Sequence, residues 1–221
     1  MLQMNLDELK EIQERMAESI VLDDLIPLDK LKYVVGVDQA FIDDEVISCA
    51  VKLSFPELEV VERSLKIERA NFPYIPTFLM FREGEPAVNA VKDLVDDRTA
   101  IMVDGSGIAH PRRCGLATYI ALKLRKPAVG ITKKKLFGEI VSVSENLAKM
   151  VDGEEVIGYA IKPCKRCNPI YISPGSFISL ESSLKLVQKC LKGYKLPEPV
   201  RIADKMTREV KRELRHDLKF K

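Results

Sequence analysis

The chain has 221 residues, 46% of them apolar, which is ample for a folded core. No run is long and apolar enough for a membrane span, and the start Met1-Leu2-Gln3-Met4-Asn5-Leu6-Asp7-Glu8 has no basic stretch leading into an apolar one, so no secretory signal is indicated and a cytoplasmic protein is expected. The net charge of +2 conceals a division: residues 1–110 carry 22 acidic and 11 basic side chains, residues 111–221 carry 11 and 24, giving −11 and +13. Such halves can neutralise each other within one fold, or leave a basic surface free to meet phosphates.

Leu6, Leu9, Ile12 and Met16 fall at helical spacing and predict an amphipathic helix over residues 4–19. Three strands follow, at 33–38, 46–55 and 58–68. The middle one alternates, with Ile47, Cys49, Val51, Leu53 and Phe55 on one side, as a half-buried strand does. The short connections Asp43-Asp44 and Pro56-Glu57 favour an antiparallel meander. Residues 78–95 turn helical, with Val88, Val91, Leu94 and Val95 on one side and Glu83 in the early part. Strand 100–104 comes next, then a helix opened by Pro111 and running to about Leu124, then strand 127–131, an alternation that predicts parallel pairing in this half. Strands near 155–162 and 169–173, a helix near 179–191 and a last helix from Val200 to about Leu214, introduced by Pro197 and Pro199, complete the chain. No repeat, linker or low-complexity tract divides it, so residues 1–221 are read as one α/β domain.

Cys49, Cys114 and Cys190 lie in apolar stretches where a small buried thiol is common. Cys164-Lys165-Arg166-Cys167 has the spacing of half a zinc knuckle or of a turn disulfide, and no second cysteine pair completes a zinc site.

Asp38 closes the apolar run Tyr33-Val34-Val35-Gly36-Val37, and Asp104 closes Ala100-Ile101-Met102-Val103 just before Gly105-Ser106-Gly107. A carboxylate at the end of a buried strand is expensive to desolvate without a cation or donors. One such Asp could simply cap its turn. Two of them, with Glu83 flanking, favour a shared metal. Between the first two acids lies Pro73-Tyr74-Ile75-Pro76, either an ordinary proline turn or a stiff wedge presenting an aromatic and a branched side chain.

Val35-Gly36-Val37-Asp38, Phe72-Pro73-Tyr74-Ile75-Pro76 with Phe81-Arg82-Glu83, Asp104-Gly105-Ser106-Gly107-Ile108-Ala109-His110-Pro111-Arg112-Arg113, Gly130-Ile131-Thr132-Lys133, Ser173-Pro174-Gly175 and Pro197-Glu198-Pro199-Val200-Arg201 resemble, in this order, the motifs of the endonuclease V family. The resemblance covers residues 8–212. It implies a ribonuclease H-like mixed sheet, three antiparallel strands followed by parallel strands, flanked by helices. It also implies a DNA repair endonuclease that recognises deoxyinosine and hydrolyses the second phosphodiester bond on its 3′ side, leaving 3′-hydroxyl and 5′-phosphate ends.

Mg²⁺ is the implied cofactor, with Mn²⁺ able to substitute; Asp38 and Asp104 match the family's metal ligands, Glu83 its third catalytic carboxylate and Lys133 its active-site lysine. Asp204 falls where some members carry a histidine near the metal, and is either an auxiliary ligand or a helix-start carboxylate favoured by the dipole. Pro73, Tyr74, Ile75 and Pro76 match the strand-separating wedge. Gly105, Ser106, Gly107 and Ile108 are assigned to the base pocket, where glycine permits close backbone approach. His110 is a secondary site residue or a cap on the helix expected at Pro111. Lys134 and Lys135 are phosphate contacts or a solvated basic loop. Thr77 departs from relatives that carry glycine after the second proline, which puts the pocket rim in question. The expected partner is deoxyinosine-containing DNA, met by a monomer, with inosine in RNA left open. The rivals are a junction resolvase or another ribonuclease of the same fold, and a non-catalytic nucleic-acid-binding module, to which three clustered carboxylates would be a liability.

Overall fold

The computed structural model describes residues 5–219; Met1 to Met4, which carry part of the start read for a signal and the first residue of the expected helix, lie outside them, as do Phe220 and Lys221. One nine-stranded sheet runs through the molecule in the order β3-β2-β1-β4-β5-β9-β8-β7-β6. β1 (Tyr33–Ile42), β2 (Glu45–Ser54) and β3 (Val60–Arg69) form the expected antiparallel meander. β4 (Thr99–Asp104) lies parallel to β1 and β5 (Ala128–Thr132) parallel to β4, each reached through a helix, α2 (Leu79–Val91) and α3 (Leu116–Leu124). Parallel pairing stops there. β6 (Glu139–Ser144), β7 (Leu147–Asp152), β8 (Glu155–Ile161) and β9 (Ile170–Ser176) add an antiparallel extension, with β9 antiparallel to β5.

Two boundaries move and two strands are added, each for a local reason. β1 continues four residues past Asp38, because β2 goes on pairing with it from Asp38↔Cys49 to Ile42↔Glu45. On its other side the parallel ladder ends at Val37↔Val103, so Asp38 is the first residue of β1 without a parallel partner. α3 starts at Leu116 rather than Pro111, since Arg113 takes a left-handed conformation (φ 56°) that breaks a helix and Gly115 becomes the N-cap. β6 and β7 have no counterpart in the sequence reading: every residue of the edge strand β6 is exposed, so no buried face imprints an alternation.

Side chains of alternate parity build two cores. On one face Val34, Leu53, Met102 and Ile131 pack with α4 (Leu180–Lys189) and α5 (Glu198–Lys219) through Leu186, Val187, Val200 and Ala203. On the other, Val35, Val37, Ile101 and Val103 meet Met80, Val91, Leu116 and Ile120 of α2 and α3. α1 (Leu6–Ala17) is capped by the Asn5 side chain and joins the second core through Ile12, Met16 and Ala17. Its one buried residue outside that stripe is polar, Gln13. Cys49, Cys114 and Cys190 are buried thiols, and Cys164 and Cys167 close a turn as a disulfide.

The contact that seats α5 on the sheet lies at Gly36, where an added Cβ would stand 2.1 Å from the Pro199 carbonyl oxygen. Only the absence of a side chain lets the start of α5 descend onto β1. Gly36→Ala is therefore expected to lower unfolding free energy by about 3 kcal/mol or more, the upper range for overpacking, read by chemical denaturation. A midpoint equal to the parent's would show that α5 does not depend on this approach.

Candidate active site

Asp38 and Asp104 stand on adjacent strands where the parallel ladder between them runs out, and α5 lowers Asp204 onto the pair. One oxygen from each of these three carboxylates lies within 4.8 Å of the others. Asp38 is 8% exposed, and its carboxylate accepts a hydrogen bond from the Thr207 hydroxyl. Lys133, on the loop after β5, donates from Nζ to Asp104 at 2.7 Å and to Asp204 at 3.2 Å, and Arg208 braces Asp204 from one turn on. Glu83, 6% exposed on α2, lines the same cavity of about 420 Å³ but stands outside the trio.

Burial, then the charge of Asp104, pushes the Asp38 carboxyl up to about 7, against the Thr207 hydrogen bond. Glu83 is pushed up to about 8 by burial and then by Asp38 and Asp104. Burial works against the Lys133 ammonium, yet Asp104 and Asp204 outweigh it and hold its pKa above the ordinary value. The site therefore carries more negative charge than its lysine offsets. An all-oxygen donor set short of positive charge fits a hard divalent cation, which takes one or two protein carboxylates and keeps several waters. Asp204 thus sits with the two aspartates that the motifs marked; its inward place one helical turn before Thr207, beneath the apolar residues Val200 and Ala203, was the available signal.

A second cavity, of about 560 Å³, adjoins this one and shares Asp104 and Lys133 with it. Tyr74 and Pro76 form its outer rim, and Tyr74 is 64% exposed. Pro73 is exposed and Ile75 half-buried, and neither lines the cavity. Gly105 and Ser106 are on its wall, with His110, Lys134 and Lys135. Gly107 and Ile108 are behind it: the Gly107 amide donates to Ser173 Oγ (2.9 Å), the Ile108 amide to the Pro174 carbonyl (2.8 Å), and Ile108 packs on Met150 and Ile157. Half of the run expected to face the cavity instead ties that loop to β9.

His110 is not a helix cap. Its Nδ1 accepts from the Arg112 amide, so the proton sits on Nε2, which donates to the Thr77 carbonyl at 2.9 Å. The same carbonyl accepts from Gln13 Nε2 (3.0 Å) and Arg112 Nη2 (2.9 Å), and Arg112 also reaches Thr77 Oγ1 (2.8 Å). Gln13 Oε1 accepts from Arg112 Nε at 2.7 Å, closing the network. Thr77 has φ 68°, a left-handed conformation that strains a β-branched residue by about 1–3 kcal/mol and persists only where the surroundings enforce it. Glycine would adopt this backbone freely; here threonine adopts it because three side chains converge on it. Gln13 lies outside every motif, and Arg112, although inside the run from Asp104 to Arg113, is given no role there; the part of both is visible only in space.

Burial pushes His110 down to about 4, helped by the Arg112 charge and opposed by the bond to Thr77. A histidine whose folded pKa lies below the unfolded value of about 6.5 stabilises the fold above that pH, and the contribution is lost as pH falls towards 4. Between pH 7 and pH 4.5, His110→Gln is expected to lose about 2 kcal/mol less unfolding free energy than the parent, measured by denaturant titration at both pH values. Equal losses would contradict a buried neutral imidazole.

The family model of endonuclease V matches residues 14–205. An endonuclease V of Archaeoglobus fulgidus is 74% identical over 221 residues, covering 100% of both chains. The crystal structure of an endonuclease V from Bacillus subtilis superimposes with a TM-score of 0.90 at 27% identity, covering 98% of this chain and 96% of that one. An endonuclease V of Ciona intestinalis, solved in complex with a 24mer DNA containing an inosine followed by a ribo-adenosine, gives 0.83 at 26% identity over 95% of this chain and 98% of that one. With its carboxylate cluster, adjoining pocket and ribonuclease H-like sheet, the chain belongs to the endonuclease V family.

Proposed function

We propose that this endonuclease recognises deoxyinosine in DNA and hydrolyses the second phosphodiester bond on its 3′ side, with Mg²⁺ held by Asp38, Asp104 and Asp204 and Mn²⁺ able to replace it. The observation that carries the reading is the pair of cavities meeting at Asp104 and Lys133, one lined by carboxylates and the other rimmed by Tyr74 and Pro76. A base turned into the second places its own strand at the first. When bound, the cation supplies charge neutralisation at the phosphate and a lowered pKa for the attacking water.

The chain's own groups do the rest. Lys133, tethered between Asp104 and Asp204, can swing its ammonium onto a non-bridging phosphate oxygen. Glu83, buried beside Asp38 and Asp104, is pushed up to about 8 by that burial and by their charges, and its ionised form would accept the proton of the attacking water. Tyr74, with Pro73, Ile75 and Pro76 stiffening its loop, enters the stack beside the lesion, where a mispaired base is the least costly to extrude. Gly105 and Ser106 meet the turned-out base. A second reading, cleavage beside inosine in RNA, draws on the ribo-adenosine that follows the inosine in the DNA of the Ciona complex.

The test is a cleavage panel of inosine-containing DNA, inosine-containing RNA, four-way junctions and RNA–DNA hybrid, with and without Mg²⁺. Mg²⁺-dependent nicking 3′ of deoxyinosine is expected; cleavage of junctions or hybrid instead would overturn the proposal. Asp38→Asn should abolish nicking. In cation-free buffer it should also raise Tm above the parent's, because it removes one of three crowded charges, and added Mg²⁺ should raise Tm in the parent alone. Tyr74→Ala should reduce the preference for inosine over undamaged duplex by about tenfold, with a smaller effect on the cleavage of single-stranded inosine substrate, where no stack needs opening. Equal losses on the two substrates would count against a wedge.

A further inference from the structure

α5 does not end at the carboxylates. Beyond Asp204 it carries Arg208, Lys211, Arg212 and Arg215, which recur every three or four residues and so share one face of the helix. They line a groove of about 860 Å³ with Asp43 and His216 at its margin, and Arg208 and Lys211 belong also to the carboxylate cavity. Three cavities therefore follow one another: pocket, carboxylates, basic groove. Arg208 is engaged with Asp204, whereas among residues 5–216, whose side chains are described, no carboxylate lies within 4.0 Å of Lys211, Arg212 or Arg215. Like charges at this spacing repel each other and weaken a helix, and a polyanion laid along them removes the repulsion.

We infer that this groove holds the phosphates of the cleaved strand on the 3′ side of the cut, the part that becomes the 5′-phosphate product. The inference rests on the proposed function, which fixes the polarity: with the lesion base in the pocket and the cut 3′ of it at the carboxylates, the strand reaches α5 only by continuing in the 3′ direction. From Asp204 to Arg215 the helix rises about 16 Å, the rise of roughly five nucleotides in one strand. Arg212 and Arg215 are exposed at the far end, where their guanidinium groups can each take a phosphate.

The experiment measures binding by fluorescence anisotropy, with Ca²⁺ in place of Mg²⁺, to inosine-containing duplexes whose 3′ flank or 5′ flank is shortened stepwise. For the parent, affinity should fall about tenfold once the 3′ flank is shorter than about five nucleotides beyond the cut, and less for equal shortening on the 5′ side. The double variant Arg212→Gln/Arg215→Gln should bind the long duplex about tenfold more weakly, lower the salt slope by about 2 and lose its dependence on 3′ flank length. A parent indifferent to the 3′ flank, a variant that keeps the dependence, or a loss that follows the 5′ flank would each overturn the inference. Mapping the parent's nick with Mg²⁺ on the same duplexes reads the underlying function separately: no nick 3′ of inosine sinks that function, while a correct nick with a flat flank response sinks the track alone.

Discussion

Three carboxylates held close together in a half-dry cleft repel one another, and much of the molecule can be understood as the frame that withstands this. Two unit charges 4 Å apart interact at about 4 kcal/mol in surroundings of intermediate polarity, so each backbone bearing an acid needs an anchor of its own. Asp38 and Asp104 ride on the two central parallel strands, buried on both faces. Asp204 rides on a helix whose start is locked against Gly36. Lys133 and the Thr207 hydroxyl offset part of the charge, and the remainder is what a bound cation would neutralise.

The second cavity follows a different logic. Its inner wall is a loop pinned by Ser173 and the Pro174 carbonyl, and its outer rim hangs on one strained residue. Because Asp104 and Lys133 belong to both cavities, the two are continuous, and under the proposed function the reading and cutting of a strand would share a wall.

What could be read from the amino-acid order was what burial writes into it. The central strands and the helix that carries Glu83 have one or two dry faces, and their apolar periodicity located them to within a few residues. Asp104 fell at its strand end because the parallel ladders to β1 and β5 both run out there; Asp38 did not, because a second, antiparallel neighbour kept β1 going. β6 and β7 left little trace, being an exposed edge and its neighbour. The start of α3 was misplaced because Pro111 is a good first helical residue in general, and the left-handed Arg113 that overrules it has no sequence mark. Gly107 and Ile108 had the composition of a pocket wall, but the strand they would lean on, β9, was expected to end before the Pro174 carbonyl that binds them. Nothing local in Gln13 announces a role, and the motif that contains Arg112 does not name its partner, since the partners of Gln13 lie at least 64 residues away and Thr77 lies 35 from Arg112.

That network changes what α1 is for. The helix lies outside the sheet and touches neither carboxylate nor lysine, yet through Gln13 it supplies one of the three donors that hold Thr77 left-handed. The segment carrying Tyr74 therefore has its footing on the first helix of the chain. If the Tyr74 segment is the wedge proposed above, damage to α1 would leave the carboxylate centre standing and unmoor the part that chooses where to cut, turning a selective nuclease into an indifferent one.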